Sequence, residues 1–158
     1  MVVSKLRIDD RLIHGQVVTS WVAQTGAKRI VCIDDETAAS PMMKKLNEKL
    51  APQGTTVHVF NTEEAIPLMK EYYADEKNKY LVLVRLPKTI MDMVDAGVPV
   101  KEIIVGGMGK RGTRTKLFRN ITADEEERAI FRKLDGMGIK TYMHIIPSDK
   151  PVDVMTLI

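Results

Sequence analysis

Cysteine is almost absent from this chain. Cys32 is the only one among 158 residues, so no disulfide can form within the chain. It lies in the strand-like run "RIVCID", and we expect a buried thiol there, because a free cysteine packs as a small hydrophobe. A fold held together by internal disulfides is therefore excluded.

Aromatic residues and excess charge are also scarce. Aromatic residues make up 5% of the chain, and the formal net charge is +3. No stripe of basic residues is interleaved with aromatic ones, which is the pattern typical of stacking on nucleic-acid bases. We therefore expect no nucleic-acid partner, and the small positive charge favours at most an anionic ligand or an acidic partner.

Long hydrophobic runs are missing too. No apolar stretch approaches the ~20 residues that cross a bilayer, and the start "MVVSKLRIDD" lacks the features of a signal peptide. With 44% hydrophobic and 28% charged residues, the composition is that of a globular protein. We expect a cytoplasmic chain in which residues 1–158 form one domain.

Strand-like runs alternate with helix-like segments along the whole chain. This alternation predicts a single-domain, three-layer α/β/α fold: an open, mainly parallel sheet with helices on both faces. The predicted strands are 2–8, 29–34, 55–60, 79–86, 101–107, 113–121 and 139–147, and the predicted helices are 16–26, 40–54, 61–75, 87–97 and 122–138.

Two of the predicted helices carry end signals. The first stops at Gly26, a favourable residue after a helix. The second has Ser40 as its N-cap and Pro41 at its first position. Its apolar residues are expected to face the core; they are Met42, Met43, Leu46 and Leu50.

The stretch "RIDDRLIHGQVVTSW" places charged residues and a histidine between the first predicted strand and the first helix. Ligands of such sheets bind at the carboxyl ends of strands, near the point where the strand order reverses. His14 is therefore a candidate functional residue. His58 and His144 lie inside strand-like runs, and we interpret both as structural.

The sequence motifs of several common catalytic and nucleotide-binding sites are missing. No G-x-G-x-x-G, P-loop or G-x-S-x-G pattern is present. Asp9, Asp10 and His14 are not joined by further residues at metal-ligand spacing, so no metal site is predicted. A phospho-aspartate receiver domain also has two acidic residues after its first strand, but its acceptor aspartate is missing here, because Asn61 follows the third predicted strand.

Phosphoryl transfer through the histidine fits the stretch best. A neutral imidazole nitrogen is a competent nucleophile, and the guanidinium of Arg11 offers a planar fork for phosphoryl oxygens. Backbone N–H groups of residues 11–16 could form an anion-binding site at the helix N-terminus. Gly15 has no side chain, so the backbone can approach the anion closely there. Either Asp9 or Asp10 could hold Arg11 or orient the imidazole. No cofactor is required.

The same stretch resembles the active-site segment of the IIB components of the mannose/fructose/sorbose family of the bacterial sugar phosphotransferase system. The resemblance continues through "KYLVLVRLPKTIMDMVDAGVPVKEIIVGGMGKR" and the ending "HIIPSDKPVDV". It implies that His14 is transiently phosphorylated at Nδ1 by a phosphohistidine of a IIA protein or domain. The acceptor would be a sugar carried by the membrane components IIC and IID, so the chain would work in the cytoplasm beside a membrane transporter.

The resemblance also implies roles for neighbouring residues. Arg11 would bind the phosphoryl group and Asp10 would shape the loop, making both catalytic-site residues with His14. The other members of the expected phosphoryl-binding loop are Leu12, Ile13, Gly15 and Gln16. Candidate cleft or partner contacts are Asp9, Gly106, Gly107, Met108 and Lys110.

Some assignments stay open at this stage. Ile104 stands where many relatives have asparagine, so no polar role is expected there. Arg111 and Arg114, with Lys110, could face the IIA partner, steer the phosphoryl group or form a solvated basic loop. Asp34 and Asp35 could line the cleft or cap the following segment.

The sequence also leaves alternatives open for the function and for the oligomeric state. A regulatory module phosphorylated at His14 would need the same motif as a transporter component. The sugar is not specified by the sequence. The resemblance allows a homodimer, although no sequence feature argues for a symmetric interface.

Overall fold

The computed structural model describes residues 3–158, except for the side chains of Ser4 and Gln16. It contains one seven-stranded sheet with the strand order β3-β2-β4-β1-β5-β8-β9, and a separate two-stranded sheet, β6-β7. The strands are β1 (Val3–Asp9), β2 (Arg29–Ile33), β3 (Thr56–Phe60), β4 (Tyr80–Val84), β5 (Glu102–Gly107), β6 (Thr115–Phe118), β7 (Ile121–Ala123), β8 (Lys140–Met143) and β9 (Val152–Asp153).

Six α-helices are found in the described part of the chain. They are α1 (Gly15–Thr25), α2 (Asp35–Ala39), α3 (Pro41–Lys49), α4 (Thr62–Ala74), α5 (Pro87–Asp95) and α6 (Glu125–Gly136), and a short 3-10 helix follows at Val154–Thr156. None of the helices between residues 3 and 158 is both long and apolar enough to span a membrane.

The predicted fold class is confirmed. All pairings in the large sheet are parallel except that between β8 and β9. Residues of α1, including Val18 and Trp21, pack on one face of the sheet. Residues of α4, α5 and α6, among them Met69, Ile90 and Phe131, pack on the other face. The strand β4 is buried at every position, as expected for a strand covered on both sides.

Several end signals act as the sequence predicts. Gly26 follows α1 with φ 72° and closes it through its N–H to the carbonyl of Val22. Ser40 caps α3 by accepting from the N–H of Met43, as predicted. Cys32 is fully buried, as predicted. The predicted first strand begins at Val2, which lies outside the described residues.

The predicted orientation of α3 is wrong. Its large apolar side chains are exposed, with exposed fractions of 74% for Met42, 39% for Met43, 48% for Leu46 and 48% for Leu50. Asn47 is the buried residue of this helix, and its side-chain amide donates to the carbonyl of Met43. The helix lies on the edge strand β3, where the sheet offers little surface to cover.

Three further differences concern short elements. The segment predicted as a sixth strand, 113–121, contributes to an antiparallel hairpin apart from the main sheet. The helix α2 separates β2 from α3, and the carboxylate of Asp34 caps it by accepting from the N–H of Thr37. The last predicted strand stops at Met143, and the chain returns as β9 along the sheet edge.

Candidate functional site

A cleft opens at the carboxyl end of β1, which lies between β4 and β5 in the sheet. The cleft has a volume of about 310 Å³ and separates the loop that joins β1 to α1 from the glycine-rich end of β5. Its lining residues are Arg7, Asp9, Asp10, Arg11, His14, Val17, Gly106, Gly107, Met108, Gly109, Asn120 and Ile145.

His14 stands at the mouth of this cleft, immediately before α1. It is the N-cap residue of the helix, with an extended backbone, and its side chain keeps 16% of its surface exposed. The ring Nε2 lies 2.8 Å from Oδ2 of Asp9. Because an ionised carboxylate can only accept, Nε2 carries the proton and the lone pair of the neutral ring resides on Nδ1.

Asp9 orients the imidazole from a buried position. Its exposed fraction is 2%, and its second oxygen, Oδ1, accepts from the backbone N–H of Arg11 at 3.1 Å. The Nη2 atom of Arg7 reaches Oδ2 at 3.3 Å. Arg7 and the backbone of Arg11 thus hold the carboxylate in place for its contact with the ring of His14.

Arg7 is the buried cation behind this pair, with an exposed fraction of 1%. Its Nη1 donates to the carbonyl of His144 at 2.9 Å, and its guanidinium lies 5.4 Å from the ring centroid of Trp21. Burial lowers the pKa of Arg7, an effect that the neighbouring carboxylate of Asp9 opposes. A charge in such a place needs its partner, because an unpaired buried charge is costly.

The loop backbone is anchored at its base. Leu12 has a positive φ of 54°, a conformation that costs a non-glycine residue about 1–3 kcal/mol. Its side chain and that of Ile13 are buried in the core beneath α1, which compensates for this strain. Gly15, with φ 46°, occupies the same backbone region at the first position of α1 without that cost.

The open side of the cleft is suited to an anion. Arg11 is exposed and lines the same cleft as His14. The first turn of α1 contains no acidic residue, and His14 makes no side-chain cap to it. Val17 of this first turn lines the cleft, and the helix end carries no carboxylate of its own to compete for an anion.

The carboxylate of Asp10 has partners other than the imidazole. Its Oδ2 accepts from Nη1 of Arg114 at 3.1 Å and from the backbone N–H of Gly109. Asp9 is therefore the carboxylate that orients His14, a role that the sequence leaves open between Asp9 and Asp10. Asp10 instead joins the loop to the segment after β5. Its partner Arg114 has an exposed fraction of 2%, which removes a solvated basic loop from the alternatives that the sequence leaves open for this residue.

Gly106 and Gly107, which the sequence names as candidate cleft or partner contacts, both line the cleft at the end of β5. Their missing side chains leave room for other groups of the same chain. A Cβ at Gly106 would lie 1.9 Å from the guanidinium carbon of Arg7, and one at Gly107 would lie 2.8 Å from Oδ1 of Asp9. The space is thus occupied by the two buried charges of the chain itself.

The remaining candidates divide into buried and exposed residues. Met108 lines the cleft, but its exposed fraction is 1%, so it is a core residue and not an exposed partner contact. Ile104 is likewise buried beside α1. Lys110 and Arg111 are exposed, and the ammonium of Lys110 contacts the carbonyl of Arg114. The side chain of Gln16 lies outside the described part of the structure.

Other polar residues lie apart from the cleft. Asp34 caps α2 and pairs with Arg85 at 3.1 Å, while Asp35 accepts from the N–H of Thr62; neither lines this cleft. The ring of His144 packs edge-on against Trp21 at 4.8 Å. Among the described side chains, no three His, Cys, Asp or Glu residues form a cluster that could hold a metal ion.

Sequence reasoning missed Arg7 and left Arg114 ambiguous. A signal for Arg7 was available, since it is the cation nearest the end of an apolar strand-like run and shares a strand face with Asp9 two residues later. Arg114 had no such local signal, because its partners Asp10 and Glu127 lie 104 and 13 residues away.

Comparison with known families gives a match over nearly the whole chain. A family model described as "PTS system sorbose subfamily IIB component" matches residues 3–158. The sorbose-specific EIIB component of Lacticaseibacillus casei is 31% identical over 159 residues, which cover 100% of this chain and 96% of that protein.

A longer relative and a solved structure agree with this match. The mannose-specific EIIAB component of Escherichia coli K12 is 35% identical, but this chain spans only 49% of its length. The crystal structure of the IIBSor domain of the sorbose permease from Klebsiella pneumoniae superimposes with a TM-score of 0.90 at 30% identity, covering 99% of this chain and 95% of that one.

Proposed function

Because this chain belongs to the sorbose subfamily of IIB components of the sugar phosphotransferase system, which transfer phosphoryl groups during sugar uptake, we propose that His14 is its phosphoryl carrier. In this proposal residues 1–158 act as one IIB domain. His14 accepts the phosphoryl group from a phosphohistidine of a IIA protein or domain and passes it to a sugar presented by membrane components IIC and IID on the cytoplasmic side.

The single observation that carries this proposal is the bond between Nε2 of His14 and the carboxylate of Asp9 at 2.8 Å. It leaves Nδ1 as the ring nitrogen with a lone pair. In the first step this lone pair attacks phosphorus while the phosphorus–nitrogen bond of the donor histidine breaks and its electrons return to the donor ring. In the second step a sugar hydroxyl attacks, the bond to Nδ1 breaks, and the freed imidazole can accept the hydroxyl proton.

The surrounding residues stabilise the charge that such a step involves. Phosphoryl transfer depends mainly on positioning and on electrostatic stabilisation of the phosphoryl oxygens. Arg11 and the N-terminus of α1 supply donors on the open side of the cleft. Asp9 also stabilises the positively charged imidazolium ring that carries the phosphoryl group at Nδ1, because Nε2–H remains paired with a carboxylate that Arg7 holds in place.

The acceptor is proposed at the level of a sugar class. The related proteins bear names for mannose, sorbose, fructose and N-acetylgalactosamine. We therefore propose a six-carbon sugar or its acetamido derivative.

Incubation with ³²P-labelled phospho-IIA tests the carrier. The label on this chain should be labile in acid and stable in alkali, as a phosphoramidate is, and His14→Ala should abolish it. His58→Ala is the matched control, because His58 is exposed on β3 outside the cleft, and it should keep the label. Label that persists in His14→Ala, or that alkali removes rapidly as from an acyl phosphate, would refute the proposal.

A further inference from the structure

We infer that Arg114 is a positioning residue for phosphoryl transfer, acting through Asp10. Arg114 lies just before the hairpin strand β6 and does not line the cleft itself. Its guanidinium has an exposed fraction of 2%, yet it reaches the loop that carries His14. The inference rests on the proposed function, since it concerns the rate at which His14 accepts a phosphoryl group.

The guanidinium of Arg114 uses all three of its nitrogen atoms. Nε and Nη2 form a two-pronged contact with the carboxylate of Glu127, at 2.8 and 2.7 Å. Nη1 donates to Oδ2 of Asp10 at 3.1 Å and to the carbonyl of Gly109 at 2.9 Å. This planar fork geometry is available to arginine and not to lysine.

These contacts join three segments that are distant in the sequence. Glu127 is fixed at the start of α6, because it forms a capping box with Asp124. Gly109 follows the glycine-rich end of β5, and its N–H donates to Asp10. The N-terminus of α6 is thus connected through Arg114 to the segment after β5 and to the phosphoryl loop.

Asp10 passes this constraint to the site. It is the residue between Asp9, which orients the ring of His14, and Arg11, whose side chain lines the cleft. Its backbone N–H also donates to the carbonyl of Gly107 at 2.9 Å. A carboxylate held at both its side chain and its backbone fixes the main chain from which Asp9 and Arg11 project.

The electrostatics of the cluster support a tight connection. Burial lowers the pKa of Arg114, but the hydrogen bonds and charges of Glu127 and Asp10 outweigh that effect and raise it overall. The same contacts occupy the carboxylate of Asp10, so that it does not compete with a phosphoryl group for the guanidinium of Arg11.

A double-mutant cycle in the transfer rate tests the inference. The variants are Arg114→Lys, Asp10→Asn and the double variant, each supplied with increasing concentrations of phospho-IIA up to saturation in single-turnover experiments. We expect Arg114→Lys to slow transfer by about tenfold or more, while the IIA concentration for half-maximal rate changes less than about twofold. If Arg114 acts through Asp10, the double variant should be no slower than the slower single variant.

Arg85→Lys is the matched control. Arg85 also joins two carboxylates, Asp34 and Glu36, at the same edge of the sheet, but it does not line the cleft. Its variant should transfer at the wild-type rate. If Arg114→Lys fails to fold, Glu127→Gln serves in its place, because it weakens the hold on Arg114 while keeping hydrogen-bonding atoms; it too should slow transfer only when Asp10 is intact.

The outcomes separate the two proposals. If the rate reductions of the two single variants multiply in the double variant, Arg114 does not act through Asp10 and its proposed role is overturned. A wild-type transfer rate in Arg114→Lys, with only the free energy of unfolding reduced, would also overturn that role. In both cases the label would still depend on His14. Label that survives His14→Ala would instead overturn the proposed carrier, and with it the inference on Arg114.

Discussion

Replacing Gly106 by alanine should damage both the fold and the site, because the buried Arg7 occupies the space that a side chain would need. An ideal Cβ on Gly106 would lie 1.9 Å from Cζ and from Nη2 of Arg7, and 2.0 Å from Nη1. The guanidinium cannot shift freely, since it is bonded to the carbonyl of His144 at 2.9 Å and to Asp9 at 3.3 Å, and Trp21 lies beside it.

The size of the effect follows from what must move. Overpacking a well-packed interior costs about 1–3 kcal/mol. If Arg7 is displaced, Asp9 loses its cation in a buried place, and breaking a buried ion pair costs about 3–5 kcal/mol. We therefore expect Gly106→Ala to lower the free energy of unfolding by about 3–5 kcal/mol, a large part of the ~5–15 kcal/mol typical of a domain.

Urea denaturation measures this effect, and Gly136→Ala provides the control. Gly136 ends α6, and a Cβ there would meet no atom within 4 Å. Its replacement should leave stability unchanged or raise it by up to ~1 kcal/mol, because alanine favours a helix over glycine. In addition, the transfer rate of folded Gly106→Ala should fall, since Asp9 would no longer be held against His14. Wild-type stability in Gly106→Ala would refute this account of the buried arginine.

Three further expectations concern separate parts of the molecule. Arg11→Lys keeps the charge but loses the planar fork, so single-turnover transfer should slow by about 10²–10³ with an unchanged urea midpoint; an unchanged rate would contradict a phosphoryl contact. Burial, with a contribution from Asp34, raises the pKa of Cys32. The buried thiol should therefore react with a thiol reagent only as fast as the protein unfolds, and rapid labelling under native conditions would contradict the burial of Cys32. Hydrogen bonds from Asn78, and from other donors, hold the pKa of Asp75 well below its usual range. The contribution of Asp75 to stability is therefore complete above the unfolded pKa of about 4 and is lost as the pH falls from there toward the lower folded pKa. Asp75→Asn should flatten the pH dependence of unfolding in that range, and an unaltered loss of stability in acid would contradict this expectation.

The alternation of strands and helices was predictable because each element carries its own local signal. Ser40 with Pro41 marks a helix start, Gly26 marks a helix end, and β4 is a continuous apolar run. The return strand β9 carried no such signal, since it has only two residues, Val152 and Asp153. Its antiparallel pairing with β8 is a tertiary contact, and local pattern does not encode it.

The wrong prediction of the buried face of α3 has a different cause. Met42, Leu46 and Leu50 follow helical spacing, so the rule that apolar stripes face the core predicts burial. That rule describes a helix over the middle of a sheet, and α3 lies on the edge strand β3. Position in the sheet order, which depends on all the crossovers together, decides how much apolar surface a helix can cover.

The roles of two adjacent carboxylates in the site also depend on tertiary contacts that the sequence does not show. The sequence shows that Asp9 and Asp10 flank the phosphoryl loop, and it leaves their roles interchangeable. Successive strand residues point to opposite sides, so Asp9 shares the side of Arg7 and meets His14, while Asp10 turns toward Arg114. Asp9 thus meets a cation of its own strand, two residues away, whereas the cation of Asp10 lies 104 residues away and reaches it only because β5 and α6 are brought beside β1.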